Sequence, residues 1–133
     1  MDLNYRTQRD LLPIHRGLNQ GETVMEMKNI PFSTTDWTKI EAVENKGETG
    51  TGFWKTCEFN NINLHMVEYS AGYLADHWCY KGHMLFCIEG ELNTELKDGR
   101  TFTLTPGMTY QVADDTIAHR SSTAVGAKLF IVD

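Results

Sequence analysis

The sequence is poor in basic residues and has no long apolar run, and each shortage excludes a class of protein. Only 12 lysines and arginines stand against 18 acidic residues, which gives a net charge of -6. Nucleic-acid-binding proteins usually carry a basic surface, so we expect no nucleic-acid partner. A membrane-spanning helix needs about 18 or more consecutive apolar residues. The sequence contains no such run, and we expect no membrane partner.

Cysteine is also scarce. The chain has three cysteines in 133 residues, and an odd number cannot form a complete disulfide framework. The first residues, MDLNYRTQRD, lack the apolar core of a secretory signal peptide. Free thiols persist in a reducing compartment. The sequence therefore predicts a cytoplasmic protein whose cysteines are unpaired.

The first 26 residues differ from the rest of the chain. They are polar and show no clear period, apart from the short apolar cluster at residues 11–14. This pattern is typical of a poorly ordered extension. Residues 27–133 carry the patterned part of the chain, which is long enough for one buried core. We predict an N-terminal extension at 1–26 and a single domain at 27–133.

That domain is a succession of short apolar segments separated by turn residues. Asn60-Asn61 and Asp98-Gly99 are typical of two-residue hairpin turns, since both pairs tolerate left-handed dihedral angles. Short strands with frequent turns predict an all-β sandwich or barrel. The predicted strands are Phe53–Phe59, Ile62–Tyr69, Asp76–Tyr80, Met84–Ile88, Glu91–Lys97, Thr101–Leu104, Thr109–Val112 and Ala127–Val132.

The strand Met84–Ile88 is apolar at every position. A strand with one face in water would alternate apolar and polar residues, so its outer face must be covered. Two alternatives remain for what covers this face: the preceding segment Asn29–Glu41 or a second subunit. A homodimer is the natural hypothesis.

The densest cluster of reactive side chains lies between Asp76 and His83. In a strand His77 and Cys79 point to the same face, and His83 begins the next strand after a turn. His119 lies far along the chain. Imidazole nitrogen and thiolate sulfur are common ligands of transition metals. The same spacing also fits histidines bonded to the backbone beside a buried cysteine, so the pattern alone leaves both readings open.

From about residue 27 to Asp133 the sequence resembles small single-domain cupins, which have the RmlC-like jelly-roll fold, also called a double-stranded β-helix. It is most similar to the uncharacterised DHCW-motif cupins. The stretches that carry the resemblance are Tyr69–His83, Ile88–Leu92, Leu104–Gly107 and Gly126–Asp133. The resemblance implies an all-β jelly-roll barrel with one small pocket at its mouth.

The cupin pattern has His-x-His, then a glutamate, and a later histidine. In this sequence His77 and Cys79 stand at the His-x-His positions, His83 replaces the glutamate, and His119 comes one residue after the final position. The resemblance thus implies a metal site of His77, Cys79, His83 and His119. One divalent transition metal, Fe, Zn or Ni, suits such a site, and a thiolate favours the softer metals.

The fold does not fix the activity, because the resemblance implies oxygenases, isomerases, lyases and binding proteins alike. We consider a metal-dependent enzyme acting on a small polar molecule, a non-catalytic binding or sensing module, and a metal-free pocket that binds a small molecule directly. His83 and Asp115 are the candidates for a general base. We interpret His65 as an ordinary strand histidine and Asp114-Asp115 as turn residues.

Overall fold

A computed structural model of the chain describes residues 26–133. Residues 1–25 lie outside the described residues, so the extension at 1–26 stays a prediction, as does its boundary. The fold below is that of the compact unit Pro31–Asp133. None of the helical segments among the described residues has the length and apolar character to cross a membrane.

Pro31–Asp133 contains ten β-strands and a single 3₁₀ helix, Trp37–Lys39. The strands in chain order are β1 Val43–Lys46, β2 Thr51–Phe59, β3 Ile62–Tyr69, β4 Tyr73–Leu74, β5 His83–Gly90, β6 Leu92–Leu96, β7 Thr101–Leu104, β8 Thr109–Val112, β9 His119–Thr123 and β10 Ala127–Val132. The all-β prediction is confirmed.

The strands form two antiparallel sheets. Six strands pair in the order β1-β2-β3-β10-β5-β8, and four in the order β4-β9-β6-β7. Alternate residues are buried on the inner faces of the sheets, and the largest fully buried side chains are Leu85, Cys87, Leu92 and Leu129. This is the two-layered jelly-roll arrangement that the resemblance implied.

Most of the predicted strands are present, and one is not. Asn60 has a φ of 56° and Gly99 a φ of 97°, which explains the tight hairpins β2–β3 and β6–β7. The predicted strand Asp76–Tyr80 is wrong, since only Cys79 pairs there, in an isolated bridge with His119. The Ala75 N–H donates to the Ser121 carbonyl and the Cys79 N–H to the His119 carbonyl. Between these two hydrogen bonds, residues 76–78 lie opposite Arg120 alone, so these three residues bulge out of the sheet.

The outer face of the six-stranded sheet is partly covered, next to β5, by the segment that contains Trp37. The Trp37 ring packs edge-on against Phe130 of the neighbouring β10, with 6.4 Å between centroids. Lys55 Nζ donates to the Trp37 carbonyl at 2.9 Å and so ties the covering segment to the sheet. Met84 and Phe86 stay 64% and 39% exposed. Within Pro31–Glu41, Trp37 thus covers β10, the neighbour of β5, and leaves Met84 and Phe86 of β5 exposed.

Candidate metal centre

The four predicted ligands line one cavity between the two sheets. It has a volume of about 100 Å³ and includes His77, Cys79, His83 and His119 in its wall. The other wall residues are mainly aromatic or aliphatic: Trp54, Tyr69, Tyr73, Ala75, Leu85, Tyr110, Ile131, with Arg120 and Ser121. Of the larger cavities in the described part of the chain, those of about 280 and 370 Å³ are lined by neither histidine nor cysteine, and one of about 240 Å³ is lined by His119 but by none of the other three candidates. The chemistry therefore concentrates in the smaller cavity.

His119 is the most deeply buried of the four, with 2% of its surface exposed. Its Nδ1 lies 3.1 Å from the Ile117 carbonyl oxygen, a bond that requires the proton on Nδ1. Nε2 then carries a lone pair, and this buried atom has no hydrogen-bond partner among residues 26–133. Leaving a buried polar atom unpaired costs about 1–3 kcal/mol. A histidine whose Nδ1–H is held by a carbonyl and whose Nε2 is free is oriented as a metal ligand.

His83 is held close to His119. The ring centroids of the two residues are 5.0 Å apart, and His83 Nε2 makes a 2.8 Å hydrogen bond with the Tyr110 hydroxyl. Burial, with a smaller contribution from the nearby His119, lowers the pKa of His83 to about 4. Burial also raises the pKa of Tyr110. At neutral pH His83 is therefore an uncharged imidazole beside a protonated phenol, and an uncharged imidazole is the form that binds metals.

Cys79 is fixed opposite His119 by two backbone hydrogen bonds, of 2.8 and 3.0 Å. Residues paired in this way present their side chains on the same side of the sheet.

His77 lies at the solvent side of the cavity, with 72% of its side chain exposed. Its Nδ1 is 2.7 Å from Asp76 Oδ1, and this hydrogen bond lowers the pKa of Asp76.

The donor chemistry fits a divalent transition metal, although a finished ligand set is not preformed. Among residues 26–133, no three His, Cys, Asp or Glu side chains are already arranged to hold a metal ion. The cavity nevertheless brings together imidazole nitrogens and a thiol, which are donors that Fe, Zn and Ni accept. The unpartnered Nε2 of His119 is one such nitrogen donor, since its lone pair is free to bind a metal ion. The assignment of all four residues as ligands stays a prediction.

The depressed pKa of His83 predicts how stability varies with pH in the metal-free protein. Between pH 6.5 and 4 the unfolded chain takes up a proton at His83 while the folded chain does not, so stability falls as the pH falls through this window. Solvent screening at a half-buried ring reduces the full linkage energy, and we expect about 2 kcal/mol. Urea unfolding at several pH values measures it. In His83→Gln this part of the slope should vanish, and an unchanged slope would contradict the burial effect.

Sequence reasoning missed a second polar cluster in the same sheet. His65 in β3 bonds through Nδ1 to Thr56 Oγ1 at 2.8 Å and through Nε2 to Asp133 Oδ1 at 3.3 Å. Asn63 Nδ2 also donates to Asp133 Oδ1, at 3.2 Å. His65 therefore has specific partners on both nitrogens. No local pattern shows this, because 68 residues separate His65 from Asp133.

The turn interpretation of Asp114-Asp115 agrees with the contacts. Asp114 Oδ1 accepts the Gly82 N–H at 2.6 Å, just before β5 begins. Asp115 has a φ of 55° and its N–H donates to the Tyr80 carbonyl. These bonds hold the turn that delivers His83 to the cavity. Arg120 is likewise engaged, stacked on Trp78 and bonded to Glu95.

Comparison with known proteins identifies the fold. No family model and no curated protein matches the chain. An RmlC-like cupin from Shewanella frigidimarina is 17% identical over 78% of this chain and 91% of its own, with a TM-score of 0.59. Ectoine synthase from P. lautus is 20% identical over 76% of each chain, with a TM-score of 0.62.

A third solved structure, Fe(II)-HppE with an alternative substrate, is 13% identical over 77% of this chain, with a TM-score of 0.64. The matched part spans 60% of that protein's length. At these identities the likeness is one of fold, and membership of the DHCW-motif group stays a prediction. The chain has the RmlC-like cupin fold.

Proposed function

We propose that the protein is a metal-binding cupin in which one divalent transition metal acts on a small polar molecule. His83 and His119 would hold the metal, with Cys79 and His77 as the further donors. The observation that carries the proposal is the buried, unpartnered Nε2 of His119, 5.0 Å ring to ring from the neutral imidazole of His83. Among proteins that share the fold, HppE was solved with Fe(II).

A bound metal would supply Lewis acidity, or redox chemistry in the case of iron. The residues of the chain would position the ligand. Tyr110 keeps its proton because burial raises its pKa, so its hydroxyl is a fixed hydrogen-bond partner inside the cavity. His77 is mostly exposed and bonded to Asp76, so protons can be exchanged with solvent there.

A second candidate function follows from the lack of a preformed ligand set in the described part of the chain. In this case His83, Tyr110 and His119 bind a polar small molecule directly by hydrogen bonds. The unpartnered Nε2 of His119 would accept a hydrogen bond from an N–H or O–H group of the ligand. A non-catalytic binding or sensing module, holding either a small molecule or a metal, is a separate alternative, and metal binding without turnover of small polar substrates would favour it.

A thermal-shift titration separates the two candidates. A ligand at about 100 times its Kd stabilises the folded state by about 2.7 kcal/mol. We expect Fe(II), Zn(II) or Ni(II) to stabilise the metal-free protein by this amount and so to raise its melting temperature. Absence of any shift with all three metals would remove the metal-dependent proposal and leave the direct-binding one.

The role of Cys79 as a ligand has its own test. Cys79→Ser preserves the side-chain size and the backbone bridge to His119 but replaces a strong thiolate donor with a weak hydroxyl. We expect a loss of metal affinity of about 10-fold or more, larger for Zn(II) than for Fe(II), because thiolate ligands favour the softer metals. Competition titration with a chromogenic chelator measures this. Unchanged affinity for both metals would make Cys79 a wall residue.

We also propose that a second copy of the chain covers the exposed outer face at Met84 and Phe86. Exposed apolar patches on a folded surface often mark interfaces. At micromolar concentration we expect a dimer in sedimentation velocity, and a monomer after Met84→Glu. A monomeric wild-type protein would refute this proposal.

We also propose that the protein is cytoplasmic, which the three unpaired cysteines support.

A further inference from the structure

A further cavity lies at the open edge of the jelly roll and shares Tyr110 and His119 with the metal-centre cavity. It has a volume of about 240 Å³. We call it the edge groove and define it by its principal lining residues, Leu96, Phe102, Tyr110, Val112, Ile117 and His119. It lies where β7 ends the four-stranded sheet and β8 ends the six-stranded sheet. None of the described residues that line it is acidic, a lysine or an arginine.

The edge groove exposes apolar side chains that belong to the inner faces of the sheets. Phe102 pairs with Thr94 in the β6–β7 register. Because Thr94 is 2% exposed, this pair lies on the inner face, yet Phe102 is 49% exposed. An inner-face aromatic ring in this state has unfilled space beside it. Burying such apolar surface stabilises a complex by about 25 cal/mol per Å².

The edge groove shares two wall residues with the candidate centre. Tyr110 and His119 line both the edge groove and the cavity that contains His83. Cavities that bind small molecules usually exceed about 300 Å³. Neither space reaches that size alone. A ligand held at His83 and His119 that is larger than a few atoms therefore has an uncharged, apolar space next to it.

We propose, resting on the function proposed above, that the ligand has a polar head and an uncharged apolar substituent. The head binds at His83 and His119, and the substituent lies in the edge groove. Amphipathic molecules with a short alkyl or aryl group are then the ligand class, in preference to molecules polar throughout.

The first test measures a homologous series on the metal-loaded protein. Acetohydroxamate, butanohydroxamate and hexanohydroxamate carry one metal-binding head and alkyl groups of increasing length. Each buried methylene can strengthen binding by up to about fourfold, and we expect hexanohydroxamate to bind at least about 10-fold more tightly than acetohydroxamate. Ile117→Trp should flatten this dependence by filling the groove. Val43→Trp, at an exposed apolar position of β1, is the control and should keep it.

The second test needs no metal, so failure of the proposed function does not prevent it. Methyl NMR of metal-free protein titrated with 1-hexanol should shift the methyl signals of Leu96 and Ile117 and leave those of Val43 in place. Equal affinities across the hydroxamate series on metal-loaded protein would overturn the proposal. So would an absence of groove-specific shifts in metal-free protein. Shifts of the same methyls that follow protein concentration alone would assign the groove to a second copy and overturn it also.

Discussion

Replacing His119 with alanine is expected to weaken binding of a divalent transition metal by about 100-fold or more. Loss of a residue that only orients a ligand already weakens binding by about 10- to 100-fold, and His119 is argued to donate directly. Its Nε2 is buried and unpartnered, and its Nδ1 proton is held by the Ile117 carbonyl. His83→Ala should have a similar effect, because His83 is the neutral imidazole 5.0 Å away. Calorimetric titration with Zn(II) measures both.

Controls separate loss of a ligand from loss of the fold. His119 is almost fully buried, so alanine also leaves a void, and His119→Gln keeps most of the volume. His119→Gln should remain folded by circular dichroism and still lose the metal. His15→Ala removes a histidine outside the described residues and should bind metal as the wild type does. Full Zn(II) affinity in both His119 variants would contradict the assignment.

The largest expected effect on stability comes from Gly90→Ala. Gly90 ends β5 with a φ of 80°, and an added Cβ would overlap the carbonyl oxygen of Gly126. The substitution thus combines left-handed backbone strain of about 1–2 kcal/mol with a clash against backbone that cannot move aside. We expect a loss of at least about 3 kcal/mol in the free energy of unfolding. Chemical denaturation measures it.

Gly99→Ala is the matched control for that substitution. Gly99 has a comparable φ of 97°, but a Cβ there would meet no atom within 4 Å. Its cost should be the backbone strain alone, about 1 kcal/mol. Equal losses at Gly90 and Gly99 would show that the approach to Gly126 contributes nothing, and would refute the clash argument.

The strands that the sequence predicts well are those with local signals. β2, β3, β7, β8 and β10 each combine apolar or β-branched residues with a recognisable turn at one end. β9 was missed because His119–Thr123 is polar throughout its length. It is a strand because it lies between β4 and β6 and pairs with both, and such pairing depends on residues that are distant in the sequence.

The candidate site likewise has a part that the sequence predicts and a part that only the structure shows. Spacing and resemblance together selected His77, Cys79, His83 and His119, and the fold brings all four to one cavity. The sequence did not indicate that Tyr110 bonds His83, or that Thr56 and Asp133 bond His65. These contacts join different strands of one sheet. Nothing in a local stretch of residues encodes them.

The central claim is that His83 and His119 hold one metal ion in the barrel cavity. X-ray absorption spectroscopy of protein loaded with one equivalent of Zn(II) tests it most directly. We expect scattering from at least two imidazole rings at about 2.0–2.1 Å, and a sulfur contribution at about 2.3 Å if Cys79 binds. A shell of oxygen atoms without imidazole scattering, or no retained Zn(II) after desalting, would contradict it.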